Sequence, residues 1–264
     1  MERKKAFGFV VLLSALLLVP VVFGFAMFKV SNYNLFSSSS QVSSGSPNVF
    51  VDPATVMKDY SAQPMGSTFT VYINISSVTD LYCLQINLTW NHAVLNVTRI
   101  GAGEFLLRIT SPSKTASYQL GFVINQTDNV KGYSGISDSD LGAVSGISGS
   151  GRLVSVQFKV VGYGTSNMTI SLLGNLKTTL LDSTGAVITF TTVDGYFKNK
   201  LNGDANGDRV VNSLDMGGVN GHWSPTGGPF PGSLGYSRDI DCNNDGVINS
   251  LDIGVINGNW GRSA

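Results

Sequence analysis

The chain has 264 residues, enough for one large domain and one small one. Charged residues make up 13%, and Lys plus Arg equals Asp plus Glu at 17 each, so the formal net charge is zero. That balance excludes a basic nucleic-acid surface and a polyacidic tail, and with them any partner recruited by net charge.

The opening "MERKK" sets Arg3, Lys4 and Lys5 ahead of an apolar run from Ala6 to Phe28. About 20 apolar residues span a bilayer, and flanking positive charge stays on the cytoplasmic side. Residues 1–30 are therefore expected to form an N-terminal apolar helix, kept as a membrane anchor or removed as a signal peptide. The rest of the chain is expected to be extracellular, membrane-anchored by the N-terminus or secreted. Residues 31–47, with "SSSSQVSSGSP" from Ser37 to Pro47, read as a Ser-rich linker with too little side-chain volume to bury.

Residues 48–199 are dominated by period-two alternation in short runs bounded by Gly, Asn, Asp and Ser, the signature of strands with one buried face. Phe69, Val71, Ile73 and Ile75 form one such series, and Leu84, Ile86, Leu88 and Trp90 another. Tyr118 to Ile124, Val154 to Val160 and Met168 to Leu172 repeat the pattern, with weaker signals at Leu95 to Ile100, Val187 to Phe190 and Tyr196. A two-sheet sandwich is the natural solution, since no stretch here has a helical period. Lys131 to Gly151, rich in Gly and Ser, is expected to be a long, partly mobile loop. The sequons at Asn74, Asn87, Asn96, Asn125 and Asn167 fall on outward parity or at strand ends, so glycosylation is sterically expected to be open at each. Cys83 also has outward parity; the exported compartment permits a disulfide with Cys242 without requiring one.

Seven of the fifteen Asp residues lie between Asp204 and Asp252, where "DANGDRVVNSLD" recurs at an offset of 37 as "DCNNDGVINSLD". Asp204, Asn206, Asp208, Asn212 and Asp215 occupy positions one, three, five, nine and twelve of the first loop. Asp241, Asn243, Asp245, Asn249 and Asp252 do so in the second, and the carbonyls of Val210 and Val247 stand at position seven. Calcium takes six to eight oxygen ligands from such a twelve-residue loop, so two Ca2+ ions are expected. Position nine often acts through water, which makes Asn212 and Asn249 the outer members. Position six is Gly246 in the second loop but Arg209 in the first, so the first loop is expected to lose calcium first. Each loop leads into a short helix, with Met216, Val219 and Trp223 on one apolar stripe and Ile253, Ile256 and Trp260 on the other. Glycines weaken both helices, so the pair should need metal to fold.

Loop, Ser at position ten, short helix and a second copy within about sixty residues together resemble a type I dockerin over Leu201 to Gly261, a calcium-dependent plug of cellulosome-like assemblies. The preceding segment resembles a dockerin's usual receptor, a cohesin. "VDP" at Val51 to Pro53, "GSTFTVYINI" at Gly66 to Ile75, "LQINLTWNHAVLNVTRI" at Leu84 to Ile100 and "GSGRLVSVQFKV" at Gly149 to Val160 carry that likeness. The resemblance implies a mainly β protein: a jelly-roll β-sandwich of about nine strands over 48–199, then a small α-helical calcium-binding domain over 200–264. It also implies that partner choice is read at Ser213 and Leu214, and at Ser250 and Leu251, with a buried core role for the two leucines as the alternative.

These readings favour a non-catalytic surface assembly module whose partners are cohesin- or dockerin-bearing proteins, including other copies of the chain, with polysaccharide and the membrane as further contacts. The link Lys198 to Gly203 reaches only about 20 Å when extended, which favours contacts between chains over a plug folded onto its own sandwich. A carbohydrate-binding surface protein is the first alternative, with Tyr72, Tyr82 and Tyr133 as stacking candidates. A polysaccharide-active hydrolase is the second, but the acids Asp52, Asp59, Asp80, Glu104, Asp128, Asp138, Asp140, Asp182 and Asp194 show no spacing that singles out a catalytic pair. His92 and His222, the two histidines, lie in different domains.

Overall fold

The computed structural model describes residues 45–106, 124–139, 145–173, 177–223 and 233–264. The expected N-terminal apolar helix, most of the Ser-rich linker and the strand expected from Tyr118 lie outside these residues, apart from Ile124, which opens a strand. Among the described residues, no helix is long and apolar enough to cross a membrane.

Among the described residues, eleven strands hydrogen-bond into one bent sheet. They are β1 (Asn48–Asp52), β2 (Thr55–Met57), β3 (Thr68–Thr89), β4 (Leu95–Ala102), β5 (Ile124–Asp128) and β6 (Tyr133–Ser139), then β7 (Ile147–Val160), β8 (Thr165–Ile170), β9 (Thr179–Asp182), β10 (Thr191–Val193) and β11 (Gly195–Lys198). The count exceeds the expected nine because β2 and β10, three residues each, leave no periodic signal in the sequence.

The two predicted strands at Phe69 and Leu84 are halves of the single 22-residue β3. Val71, Ile73 and Ile75 are buried at odd positions, but Leu84, Ile86 and Leu88 at even ones. The parity changes at bulges between Ile75 and Leu81, where Ser77 and Asp80 take left-handed φ of 56° and 58°. Asp80 pins this bend: one carboxylate oxygen accepts the Gly146 N–H at 2.6 Å and the other accepts the Ser183 hydroxyl at 2.7 Å.

The first half of β3 pairs with β1 and β7, and its second half with β6, β8 and β9, so one strand serves both layers. Between the layers Phe69 stacks on Phe158 and Phe197 at 5.6 and 4.8 Å, and Trp90 meets Phe158 edge-on at 5.5 Å. Each large side chain sealed in this core contributes roughly 1.5–3 kcal/mol.

Several expectations change with the fold. Lys131 to Gly151 is not one long loop: β6 and the start of β7 occupy most of its described part, with Ser134, Ile136 and Asp138 buried along β6. Small polar residues mask a regular alternation, and pairing with β5 and β3 on either side supplies the backbone hydrogen bonds. Val187 to Phe190 is not a strand; Val187 makes an isolated bridge to Leu181, while Ile188 and Phe190 pack on the core. Asn87 has outward parity yet is only 8% exposed, which closes that sequon to a glycan, whereas Asn167 is exposed. Cys83 and Cys242 are not joined.

The C-terminal unit has helices α1 (Ser213–His222) and α2 (Ser250–Gly258) over a second small core of Leu201, Ala205, Val211, Val219, Cys242, Ile248 and Ile256. Ala205, Val211 and Val219 match Cys242, Ile248 and Ile256 at the repeat offset, so the two copies bury equivalent faces. Trp223 and Trp260 leave the expected stripes and are 44% and 53% exposed, because both helices end before reaching them.

Nor is the link a free tether. The Lys58 and Tyr60 N–H groups donate to the Lys198 and Lys200 carbonyls, which carries the β2–β11 pairing into the link. The helical unit thus rests against the end of its own sandwich, contrary to the expectation from the link's reach.

Candidate functional site

Both acidic loops use the same scaffold. Asn212 and Asn249 are N-caps, each side chain accepting an N–H at 2.7 Å, from Leu214 and Leu251 respectively. Asp215 and Asp252 close the reciprocal half of the capping box, and both are fully buried. Asp215 accepts N–H groups from Asn206 and Asn212; Asp252 accepts three, from Cys242, Asn243 and Asn249. Positions nine and twelve therefore join each loop to its helix, a role that the ligand spacing alone does not show.

Positions three and five also match between copies. Asn206 donates to Asp208 at 2.9 Å and Asn243 to Asp245 at 2.8 Å, while Asp208 and Asp245 accept the N–H groups of Val210 and Val247. Position one is buried: Asp204 and Asp241 are each 2% exposed. Among the described residues, no three His, Cys, Asp or Glu side chains converge as a metal cluster; the loop carboxylates turn toward backbone N–H groups.

The loops fit calcium by chemistry and by one unmet need. Their donors are carboxylate, carboxamide and carbonyl oxygens, which suit a hard cation. The Asp241 Oδ1 atom is buried without a hydrogen-bond partner, and an uncompensated buried carboxylate oxygen costs several kcal/mol in order of magnitude. A bound cation would neutralise the carboxylates and satisfy that atom.

Two tyrosines absent from the sequence-based site orient position one. Tyr236 donates to Asp241 Oδ2 at 2.8 Å, and Tyr163, from the sandwich, donates to Asp204 Oδ2. Burial and the neighbouring Asp241 push the Tyr236 phenol up to about 12, and burial followed by the Asp204 bond raises Tyr163 as well. Both phenols stay protonated donors. Cys242 is likewise pushed up to about 12, by burial first, which leaves it an unreactive thiol.

At position six, Gly246 has φ +88° and Arg209 +74°. A side chain in this region costs about 1–2 kcal/mol. The Arg209 guanidinium recovers part of that 5.5 Å from the Tyr163 ring, a contact worth about 0.5–1 kcal/mol where exposed. Gly246→Ala should weaken calcium at the second loop about tenfold, as read by titration calorimetry; an unchanged isotherm would show that the turn tolerates a side chain.

A family model for the cohesin domain matches residues 53–197, more than half of the chain. The chain belongs to the cohesin family. A model for the dockerin type I domain matches residues 202–259, so a dockerin follows the cohesin in the same polypeptide. No curated protein matches the chain. Among solved structures, it is similar to a non-cellulosomal cohesin from the hyperthermophilic archaeon Archaeoglobus fulgidus, at 17% identity over 59% of this chain and 91% of that one, with TM-score 0.44. The third cohesin ScaC of Acetivibrio cellulolyticus in complex with the ScaB dockerin gives 19% identity over 58% and 99%, TM-score 0.44. A type II cohesin domain from the cellulosome of the same organism gives 21% over 58% and 94%, TM-score 0.43.

Cohesins and dockerins are non-catalytic modules that bind each other, and type I dockerins bind calcium. Ser213, Leu214, Ser250 and Leu251 are all exposed on the dockerin, the leucines at 64% and 60%, which removes the core reading for them. Among the described residues of the cohesin, several of the scattered acids accept backbone N–H groups. Asp128 and Asp182 cap turns, Asp194 accepts the Ile170 N–H, and Asp138 is buried with its carboxyl raised by that burial. Asp140 lies outside the described residues.

Asp59 has the strongest partner. Burial alone would raise it, but the bidentate Arg262, the Ser61 hydroxyl and N–H, and the Asn202 N–H hold its carboxyl well below the usual range. A depressed carboxylate stabilises the fold fully above its ordinary value of 3.8 and loses that contribution as pH falls below it. The dockerin should therefore stay held to the cohesin at about pH 5 and loosen progressively only well below 3.8, with Arg262→Ala moving the loosening up toward 3.8; acid-protease cleavage at the interdomain link across that range measures it.

Proposed function

We propose that this protein is a non-catalytic assembly module, displayed outside the cell, that binds cohesin- or dockerin-bearing proteins, including its own copies, through a calcium-folded dockerin. The observation that carries this is the paired exposure of Leu214 and Leu251 at 64% and 60%, each beside an exposed Ser at equivalent positions of the two repeats. An apolar side chain held outward at the start of a capped helix gains nothing within its own chain and fits a partner's apolar patch.

Two calcium ions would occupy the loops, held by Asp204, Asn206, Asp208, the Val210 carbonyl and Asp215, and by Asp241, Asn243, Asp245, the Val247 carbonyl and Asp252, with Asn212 and Asn249 behind them. Two near-equivalent faces allow a partner to dock in either orientation. The N-terminal apolar run would anchor or export the chain.

The carbohydrate-binding reading loses its main support, because the Arg152 guanidinium covers the Tyr72 ring at 3.8 Å. Mass photometry of the chain with calcium and with EGTA, alone and mixed with a cohesin-bearing surface protein, tests the assembly reading. Complexes in calcium alone are expected; a strict monomer under every condition would overturn it. Leu214→Asp or Leu251→Asp singly should leave binding largely intact, and the double substitution should weaken it at least about tenfold.

A further inference from the structure

The two calcium loops are equivalent in sequence but not in what orients them. In the second loop, position one is held from within the dockerin, where the Tyr236 hydroxyl donates to Asp241 Oδ2. Tyr236 lies five residues before Asp241, and the matching place before Asp204 is taken by Asn199. Asn199 cannot substitute for the phenol, because its side chain is turned into the cohesin. There it accepts the Gly164 N–H at 2.9 Å and donates to the carbonyls of Gly162 and Gln63.

The missing hydroxyl comes instead from Tyr163, in the turn between β7 and β8 of the cohesin. The same oxygen accepts the Leu201 N–H at 2.8 Å, so one phenol joins cohesin, link and first loop. Tyr163 meets Tyr60 edge-on at 5.2 Å, and both pack against the dockerin core.

A second grip acts on the same loop. The C-terminal residues pair with its backbone: Arg262 O accepts the Val211 N–H, Val211 O accepts the Gly261 N–H, and Arg209 O accepts the Ala264 N–H, at 2.9 to 3.0 Å. The cohesin holds that tail through the bidentate Asp59–Arg262 pair at 2.8 and 2.9 Å. Lys198 and Lys200 are sealed beneath the contact at 5% and 4% exposure.

We propose that Tyr163 of the cohesin is a positioning residue for the first calcium loop, so that calcium binding there and docking of the dockerin onto its own cohesin are one coupled event. A hydrogen bond to the outer oxygen of a metal-binding carboxylate fixes its orientation, and losing such a partner typically weakens metal binding about 10- to 100-fold. By linkage, whatever docking adds to calcium affinity, calcium adds to docking. At the second loop the position-one hydroxyl comes from Tyr236 within the dockerin, so the Tyr163 coupling does not reach it, although the cohesin's Tyr196 hydroxyl also donates to Asp239 at 3.2 Å. This coupling rests on the proposed occupation of both loops by calcium.

The test titrates the full chain with calcium chloride by isothermal calorimetry, comparing wild type, Tyr163→Phe and Tyr236→Phe. Each variant loses one hydroxyl and keeps its ring, and far-UV circular dichroism checks the fold. Tyr163→Phe should weaken one calcium step at least about tenfold and leave the other unchanged, and Tyr236→Phe should do the reverse. Trypsin cleavage at Lys198 and Lys200 should be slow in calcium-loaded wild type, fast in EGTA, and fast in Tyr163→Phe at calcium levels that saturate only its unchanged step. Two calcium steps in Tyr163→Phe identical to wild type, both steps weakened together, or cleavage that does not depend on calcium would each overturn the coupling. No calcium step in wild type would instead overturn the calcium reading itself.

Discussion

Withdrawing calcium with EGTA is expected to abolish the helical signal of α1 and α2 while the cohesin retains its strand signal. Among the described residues, the dockerin core has seven buried apolar residues, and four carboxylates are buried beside it: Asp204, Asp215, Asp241 and Asp252. Hydrogen bonds from backbone N–H groups and two tyrosines hold most of their oxygens, but they do not cancel the charge, and Asp241 Oδ1 has no partner. A domain of about sixty residues with so small a core is marginal without metal. Calcium at a thousandfold excess over its Kd adds about 4 kcal/mol, which is comparable to the whole stability of such a unit.

Two transitions should therefore appear in a thermal scan with calcium and one in EGTA. The Cys242 thiol provides a second readout. Buried in the dockerin core, it should resist alkylation in calcium and react once chelator opens the unit. Equal melting profiles and equal labelling rates in both conditions would falsify the calcium-folded plug.

Asp252→Ala is expected to be the most damaging single substitution in the dockerin, lowering stability by about 3 kcal/mol or more in saturating calcium. The Asp252 carboxylate is fully buried, accepts three N–H groups and completes the capping box of α2. Truncation strands all three donors, each costing about 1–3 kcal/mol when left unmet. It also removes the twelfth-position oxygen, so metal cannot compensate. Asp215→Ala should be milder, because Asp215 accepts two N–H groups where Asp252 accepts three. Urea denaturation followed by helical signal gives both values. If Asp215→Ala costs as much as Asp252→Ala, the metal contribution outweighs the hydrogen-bond difference.

The two candidate loops are legible in the sequence as a repeated spacing of oxygen-bearing side chains. A calcium loop is a local object whose ligands lie within twelve consecutive residues, so the proposal for Asp204 to Asp215 and Asp241 to Asp252 needs only their spacing. The Asp carboxylate that caps a helix and the Asn that starts it were visible only as oxygen donors. Their second role depends on where the helix begins, which the weak helix signal of "SLDMGGVNGHW" does not fix. Exposure of Leu214 and Leu251 was likewise open, because a short amphipathic helix buries a face that depends on what packs beside it.

Alternation and loop spacing are short-range properties of the chain, so a β-sandwich ahead of a duplicated acidic-loop domain follows from local pattern alone. That β3 is one strand shared by both layers emerges only once the chain is folded, since the bulges at Ser77 and Asp80 reset the parity on which alternation depends. Folding likewise brings Tyr163 to Asp204, 41 residues away, and Asp59 to Arg262, 203 residues away. Contacts between residues so far apart follow from how the sheet closes and where the link leaves it, and no local pattern encodes them.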